Sequence, residues 1–512
     1  MKERLHVLVP ALLALVTACQ STEEGSTPPF DARPNIVFLL SDDMGWNQPG
    51  FHGGDPALTP RLDRLAAESL ELTQFYTHSV CAPTRGAFLT GRYAWRNWMD
   101  WRSEDFGKPS YLAALGLTLA HTEDGTPTRR IHALASEERT IAEALGEAGY
   151  WTGLVGKWHC GEWLPEHLPR GQGFDHQYGH YAWGIGYETK TIVHNAPARF
   201  AVYDWHRNGE PLQEEGYATD LIAAEAARLI GERARYDEPF FLYVPFNAVH
   251  GPLDAPPRHS ELGDTRAAML RCLDDGVGVI LDALEEHGLA DDTLLVFTND
   301  NGPVLEEMSA PWRGTKNTTF EGGVRVPCLL RWPGHTEPGS TNDEMMFIAD
   351  FFPTLVELAG GEVDGPFPID GLDQRATLFA GAPSPRTEIA FEVEGSVRLP
   401  TLRHGDHKLM GDALYDLAND PGEQHDIAAQ HPELVAALRA RLDELSAQRP
   451  PLGDKPLLME PPLPWVYGQG ENEDPPAWLI EHVQAVRATQ PTEWAPGETP
   501  WPQAPVGAFA SQ

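Results

Sequence analysis

The sequence predicts an α/β protein: a large mixed, mostly parallel sheet flanked by helices, followed by a smaller C-terminal α+β domain. Three observations predict it. Apolar strand-like runs alternate with amphipathic helix patterns from residue 35 to about residue 298. Each polar cluster with chemical potential falls just after one of those runs, where ligands gather in open α/β sheets. The length, 512 residues at 41% hydrophobic content, suffices for one large core and a second, smaller one.

The body of the fold is read as residues 34–385. Asn35 to Leu40 (NIVFLL) is its first strand. A helix pattern follows from Thr59 to Phe75, with Thr59 as cap and Pro60 in the first turn, where a missing N–H costs nothing. Another helix runs from about Glu138 to Ala148 and stops at Gly149; Tyr150 to Val155 is the next strand. Helix patterns cover about 219–232 and 264–287, and strands cover 240–246 and 293–298. Residues 386–450 hold short strand candidates and a last helix, Pro432 to Gln448, and are read as a C-terminal subdomain. Residues 451–512 are rich in Pro and Trp, an extension that either wraps the body or is partly disordered.

The charge balance is strongly acidic, 75 Asp and Glu against 38 Lys and Arg, a formal charge of −37. That argues against a nucleic-acid partner and requires that any anionic substrate be drawn by a local basic pocket. At the N-terminus, Lys2 and Arg4 precede an apolar run, Leu8 to Val16, that is too short to span a bilayer. It ends Val16-Thr17-Ala18-Cys19, which resembles a bacterial lipoprotein cleavage box. Residues 1–19 are then a signal peptide, with Cys19 lipidated, and residues 20–33 a flexible tether. An ordinary signal cut nearby is the other reading. The lipoprotein reading implies a periplasmic or cell-surface bacterial protein whose only membrane contact is its lipid anchor. Cys81, Cys160, Cys272 and Cys328 are scattered and do not form a disulfide framework, although one pair could close.

Ser41-Asp42-Asp43 follows the first strand. Adjacent carboxylates there repel unless a cation neutralises them, but the same triplet also makes a good surface turn. Asn299-Asp300-Asn301-Gly302 follows the strand 293–298 and is equally ambiguous alone. Together, Asp42, Asp43, Asp300 and Asn301 offer hard oxygen ligands that suit calcium better than zinc, with magnesium open. Cys81-Ala82-Pro83-Thr84-Arg85 places a cysteine near a helix N-terminus, where free N–H groups favour anions. Lys157 and His159 follow the strand 150–155, His250 follows 240–246, and Lys316 lies between Trp312 and Pro327. A lone His or Lys is usually structural. Their weight comes from recurring at strand ends within one chain.

With these motifs in this order, the chain resembles the formylglycine-dependent (type I) sulfatases of the alkaline phosphatase superfamily, over about residues 34–450. The segments Gly45-Trp46-Asn47-Gln48-Pro49-Gly50-Phe51-His52-Gly53 and Leu168 to Asp175 are similar to the arylsulfatase B (N-acetylgalactosamine-4-sulfatase) branch. The resemblance implies an alkaline phosphatase-like fold and a sulfatase activity on a sulfated carbohydrate or aryl sulfate. It also implies that a formylglycine-generating enzyme converts Cys81 to formylglycine. Asp42, Asp43, Asp300, Asn301 and the modified Cys81 would hold one calcium ion. Calcium and Arg85 would polarise one hydroxyl of the hydrated aldehyde, which attacks sulfur to give a covalent sulfo-enzyme. Lys157 and Lys316 would neutralise the sulfuryl oxygens, and His250 would protonate the leaving alcohol. His159 would take the proton of the second hydroxyl and expel sulfate.

Some positions depart from the family pattern. Thr84 replaces the commoner serine, and Cys160 follows His159 where a leucine is usual. Residues 103–136 look like an insertion. With Trp95, Trp98, Trp101, Arg92, Arg96 and Arg102 they suggest a sugar-binding rim, against the plainer reading of core tryptophans and scattered arginines. Competing functions are broad arylsulfatase action, phosphonate monoester or phosphodiester hydrolysis, and non-catalytic glycan binding. The complete set of expected residues weighs against the last.

Overall fold

The computed structural model describes residues 33–101, 117–121, 127–192, 201–450, 457–458 and 475–489. The expected signal peptide, nearly all of the tether, and Arg102 lie outside the described residues. Ten strands form the main sheet: β1 Asn35–Ser41, β2 Leu70–Leu72, β3 Trp151–Lys157, β4 His176–His180, β5 His206–Arg207, β6 Glu210–Pro211, β7 Phe240–Pro245, β8 Thr293–Asn299, β9 Cys328–Arg331 and β10 Ser340–Asn342. Their order is β6-β5-β4-β3-β7-β1-β8-β9-β2-β10. The five central strands, β4 to β8 in that order, are parallel; antiparallel pairs occur only toward the edges. This is the mixed, mostly parallel sheet the sequence predicts.

Burial explains the strand sequences. Ile36 to Leu40 of β1 are all fully buried, because helices cover both faces of the sheet centre. Helix α1 spans Pro60–Ala67, α2 Cys81–Thr90, α3 Ile141–Glu147, α4 Ala218–Arg233, α5 Thr265–Glu286 and α6 Phe351–Leu358. Every residue of α2 is buried, so it shows no polar face. Its Phe88 meets Phe38 of β1 at 4.2 Å between ring centroids, and Phe38 also meets Phe351 of α6 at 5.1 Å. Aromatic pairs of this kind lock α2 onto the sheet and so set where Cys81 stands. Gly91 ends the helix at φ +66, its N–H donating to Ala87 O at 2.9 Å.

Two element boundaries differ from expectation. The helix expected over 59–75 ends at Ala67, and Leu70–Leu72 pairs with β9 instead. Leu70 and Leu72 alternate with Glu71, a period of two that serves a half-buried strand and overrides helix continuation. Nor does Thr59 cap α1 with its side chain: its hydroxyl accepts the Gly50 N–H at 2.7 Å. The helix expected from Glu138 begins at Ile141, because Thr140 and Glu143 form a capping box that fixes the start.

A second sheet, antiparallel, lies beyond residue 386: β11 Glu388–Glu392, β12 Thr401–His404, β13 His407–Met410 and β14 Ala413–Asp416. Helix α7, Pro432–Ser446, packs on it through Leu438, Leu442 and Leu445. In the extension, Leu457–Leu458 pairs with the strand Pro127–Ile131. The helix Ala477–Thr489 docks through Trp478 on Tyr203 and through His482, whose Nε2 lies 2.7 Å from Thr189 O. These parts wrap the body. Among the described residues no helix is long and apolar enough to cross a membrane.

Gly156 precedes Lys157 at φ +136, and a Cβ there would stand 2.0 Å from Pro245 O of the neighbouring strand. Gly156→Ala is therefore expected to lower stability by more than about 1 kcal/mol, read from urea unfolding, and to lower activity as Lys157 shifts.

Candidate active site

The C-terminal ends of β1, β3, β7 and β8 face one crevice, and backbone bonds stitch them together. Asp42 N–H donates to Ala248 O (2.9 Å), Asp300 N–H to Ser41 O (3.1 Å), and Val249 N–H to Asp42 O (2.6 Å). Ser41 Oγ donates to Asn299 Oδ1 at 2.8 Å. The two ambiguous clusters, 41–43 and 299–301, are thus one structure.

Arg85, on α2 and fully buried, is the hub. Its Nε and Nη2 donate to Asp300 Oδ2 at 3.1 and 2.8 Å, Nη2 also reaches Asp42 Oδ2 at 3.2 Å, and Nη1 donates to Lys157 O at 2.6 Å. Lys157 Nζ meets Asp42 Oδ2 at 2.5 Å, and Lys316 Nζ meets Asp43 Oδ1 at 2.6 Å. Asn301 Nδ2 donates to the same Asp43 oxygen at 2.7 Å. Burial alone would raise the Asp42 carboxyl, but Lys157, His250 and Arg85 hold it well below the usual range. Burial and the Asp42 charge push Asp300 up to about 7.

The donor set fits a hard divalent cation. Oxygens of Asp42, Asp43 and Asp300 lie within 4.8 Å of one another. Asp42 Oδ1 and Asn301 Oδ1 are buried without a hydrogen-bond partner. Unpartnered buried oxygens are costly, and a hard divalent cation such as calcium would supply the missing partner.

Cys81 is the first residue of α2 and is 4% exposed. Its Sγ, an Asp42 oxygen and a His250 ring nitrogen also lie within 4.8 Å of one another. Burial pushes its thiol pKa up, so the unmodified side chain is a poor nucleophile. His250 Nδ1 lies 2.5 Å from Gly251 O, which makes Nδ1 the protonated nitrogen, and Nε2 stands 3.8 Å from Asp43 Oδ2. Burial, with Lys316 and Lys157, lowers His250 to about 4. His159 sits at φ +57 with its N–H on Tyr181 O at 2.8 Å. Burial and the Lys157 and Arg85 charges hold it well below the ordinary value, so it is a neutral base. Asp42, Asp43, Cys81, Arg85, Lys157, His250, Asp300, Asn301 and Lys316 therefore belong to one crevice, and His159 is near enough to feel its Lys157 and Arg85 charges.

The rim reading fares differently. Trp95 and Trp98 are buried, Arg92 pairs with Glu138, and Arg96 pairs with Asp370 at 3.0 Å. Carboxylates of the body claim those arginines; Trp95, Trp98 and Arg92 are core, and Arg96 is partly buried. Trp101 is only partly buried, with the Arg398 guanidinium 5.2 Å over its ring. Cys160 is wholly buried, and all four described cysteines are unpaired. Two residues at the site had no motif to reveal them. Tyr187 OH donates to Asn247 O (2.7 Å) and His250 O (2.8 Å), fixing the His250 loop, and Trp183 lies edge-on to His250 at 5.8 Å.

A mostly parallel sheet that gathers carboxylates, lysines and histidines at one crevice is the framework of an α/β enzyme suited to anionic esters. The sulfatase family model matches residues 34–361, and the chain belongs to the sulfatase family, enzymes that hydrolyse sulfate esters. It is 34% identical over 391 residues to the N-acetylgalactosamine-6-sulfatase of Rattus norvegicus, covering 72% of this chain and 70% of that one. It is 33% identical over 483 residues to arylsulfatase A of Homo sapiens, covering 81% and 88%. The crystal structure of Ps i-CgsB superposes with a TM-score of 0.69 at 26% identity, over 82% of this chain and 94% of that one.

Calcium is expected to raise the unfolding temperature of the native chain, and Asp300→Ala to weaken calcium binding at least about tenfold by calorimetry. His78 accepts the Ala94 N–H on Nε2 (3.3 Å), with Nδ1 3.1 Å from Phe391 O, and burial lowers it to about 4. Its folded pKa lies below the unfolded 6.5, so the unfolded chain binds the extra proton between those values. Stability is full above about 6.5 and falls toward pH 4, by at most about 1.4 kcal/mol per pH unit. His78→Gln is expected to flatten that slope in urea titrations.

Proposed function

We propose that this chain removes sulfate from sulfated carbohydrates, using formylglycine made from Cys81 and calcium held by Asp42, Asp43, Asp300 and Asn301. The observation that carries the reading is the convergence of Cys81, Asp42 and His250 within 4.8 Å beside a buried Arg85. When present, formylglycine supplies a hydrated aldehyde as nucleophile and calcium supplies positive charge at the sulfate. The chain's own residues do the rest. Arg85 holds the position-81 side chain's surroundings rigid, and Lys157 and Lys316 present ammonium groups to the sulfuryl oxygens. A bound sulfate offsets both lysine charges, which raises His250 from its low value and lets Nε2 deliver a proton to the leaving alcohol. His159, held neutral, accepts a proton from the position-81 side chain.

The carbohydrate class is supported by relatives named for N-acetylgalactosamine-6-sulfate and by a solved neighbour recorded with k-i-k-neocarrahexaose. The N-terminal motif supports export with a lipid anchor at Cys19, and residues 34–385, 386–450 and 451–512 serve as catalytic body, subdomain and extension.

Mass spectrometry of the Cys81 peptide is expected to show formylglycine in active enzyme. Cys81→Ala is expected to abolish sulfate release by at least about 10³-fold, and His250→Ala to slow substrates with poor leaving groups most. Active enzyme with unmodified cysteine would end this reading, as would faster release of phosphate than of sulfate from matched esters.

A further inference from the structure

The loop that carries Lys316 is gripped from two sides. On the body side, Lys316 N–H donates to Pro303 O (2.8 Å) and Asn317 N–H to Ser79 O (2.9 Å). The second grip comes from the C-terminal sheet. Lys408 Nζ reaches Thr319 O at 3.0 Å and Glu321 at 2.7 Å, and Glu423 Oε2 accepts the Glu321 N–H at 2.7 Å. Nearest to Lys316 itself is Arg398, in the segment between β11 and β12. It takes both oxygens of Asn317: Nε donates to the backbone O at 3.2 Å and Nη2 to the side-chain Oδ1 at 2.8 Å.

Asn317 directly follows Lys316 and sits at φ +71. A left-handed backbone at a residue with a side chain persists only where its surroundings hold it. Arg398 is well placed to hold it. It is buried, its Nη1 is tied to Glu392 Oε1 at 3.2 Å, and its guanidinium stands against Trp101. The planar fork that spans two acceptors of one residue fixes orientation as well as distance, which an ammonium cannot do.

We propose that Arg398 is a positioning residue for Lys316: by clamping Asn317 it holds the Lys316 ammonium on Asp43 and so at the sulfate ester. The C-terminal subdomain is then a working part of the active site, acting through one arginine. This rests on the sulfatase reading above, which places Lys316 at the sulfuryl group.

The test uses full-length, formylglycine-bearing enzyme and an aryl sulfate. Arg398→Met is expected to lower kcat about 10- to 100-fold with KM within about threefold and a cooperative unfolding transition retained. Arg398→Lys is expected to fall between the two. In a Lys316→Ala background, Arg398→Met is expected to lower kcat no further, because both changes remove one contribution. An unchanged kcat, a loss expressed in KM, or multiplied losses in the double variant would overturn the proposal. If Arg398→Met does not fold, Asn317→Gly removes the side-chain half of the clamp while tolerating the positive φ, and leaves the backbone bond to Nε in place. It must show a smaller kcat loss in the same direction and no effect in the Lys316→Ala background, and a normal kcat would overturn the proposal. Failure of the sulfatase reading is visible separately, as unsubstituted enzyme that carries formylglycine yet releases no sulfate.

Discussion

The buried guanidinium of Arg85 is the constraint on which the site depends. It joins Asp42 at the end of β1, Asp300 at the end of β8 and the Lys157 carbonyl at the end of β3. Three strands and one helix therefore share a single charge, with no solvent to relax it. A network of this kind adds little net stability, because desolvating the ions offsets most of their attraction. What it contributes is geometry: no strand end can move without leaving a charge unpaired. Rigid placement of charges before the substrate arrives is the main requirement for stabilising a sulfuryl transition state.

Charge is also partitioned by place. The chain carries −37 overall, yet Arg85, Lys157 and Lys316 stand together in the crevice. The net charge opposes an anionic ester, and this local cluster is what draws it. Such an arrangement favours a substrate that can reach inside over one that merely adheres.

Much of this was legible in sequence, for identifiable reasons. The central strands are buried on both faces and so read as continuous apolar runs. Asp42, Asp43, Lys157, His159, His250, Asp300 and Asn301 were found because they stand at or just past strand ends, whereas Cys81, Arg85 and Lys316 took their roles from the family resemblance. What escaped were features set by partners distant in the chain. Leu70 to Leu72 became a strand because β9 lay alongside. Trp95 and Arg96 looked like a rim because nothing local announces the burial of Trp95 or the pairing of Arg96 with Asp370. The Tyr187 hydroxyl meets only backbone oxygens, which carry no residue signature, and the partners of Arg398 include a residue 81 positions away.

The separation of partners along the chain has a consequence in time. Arg85 and Asp300 are 215 residues apart. At about 5–20 residues per second of synthesis, roughly 10–40 s pass between the emergence of one and of the other. During that interval β1 lacks β7 and then β8, and the segment beginning at Cys81 has no finished sheet to pack against. The side chain that ends almost wholly enclosed begins as part of an open chain, and its accessibility is a property of the nascent protein rather than of the folded one.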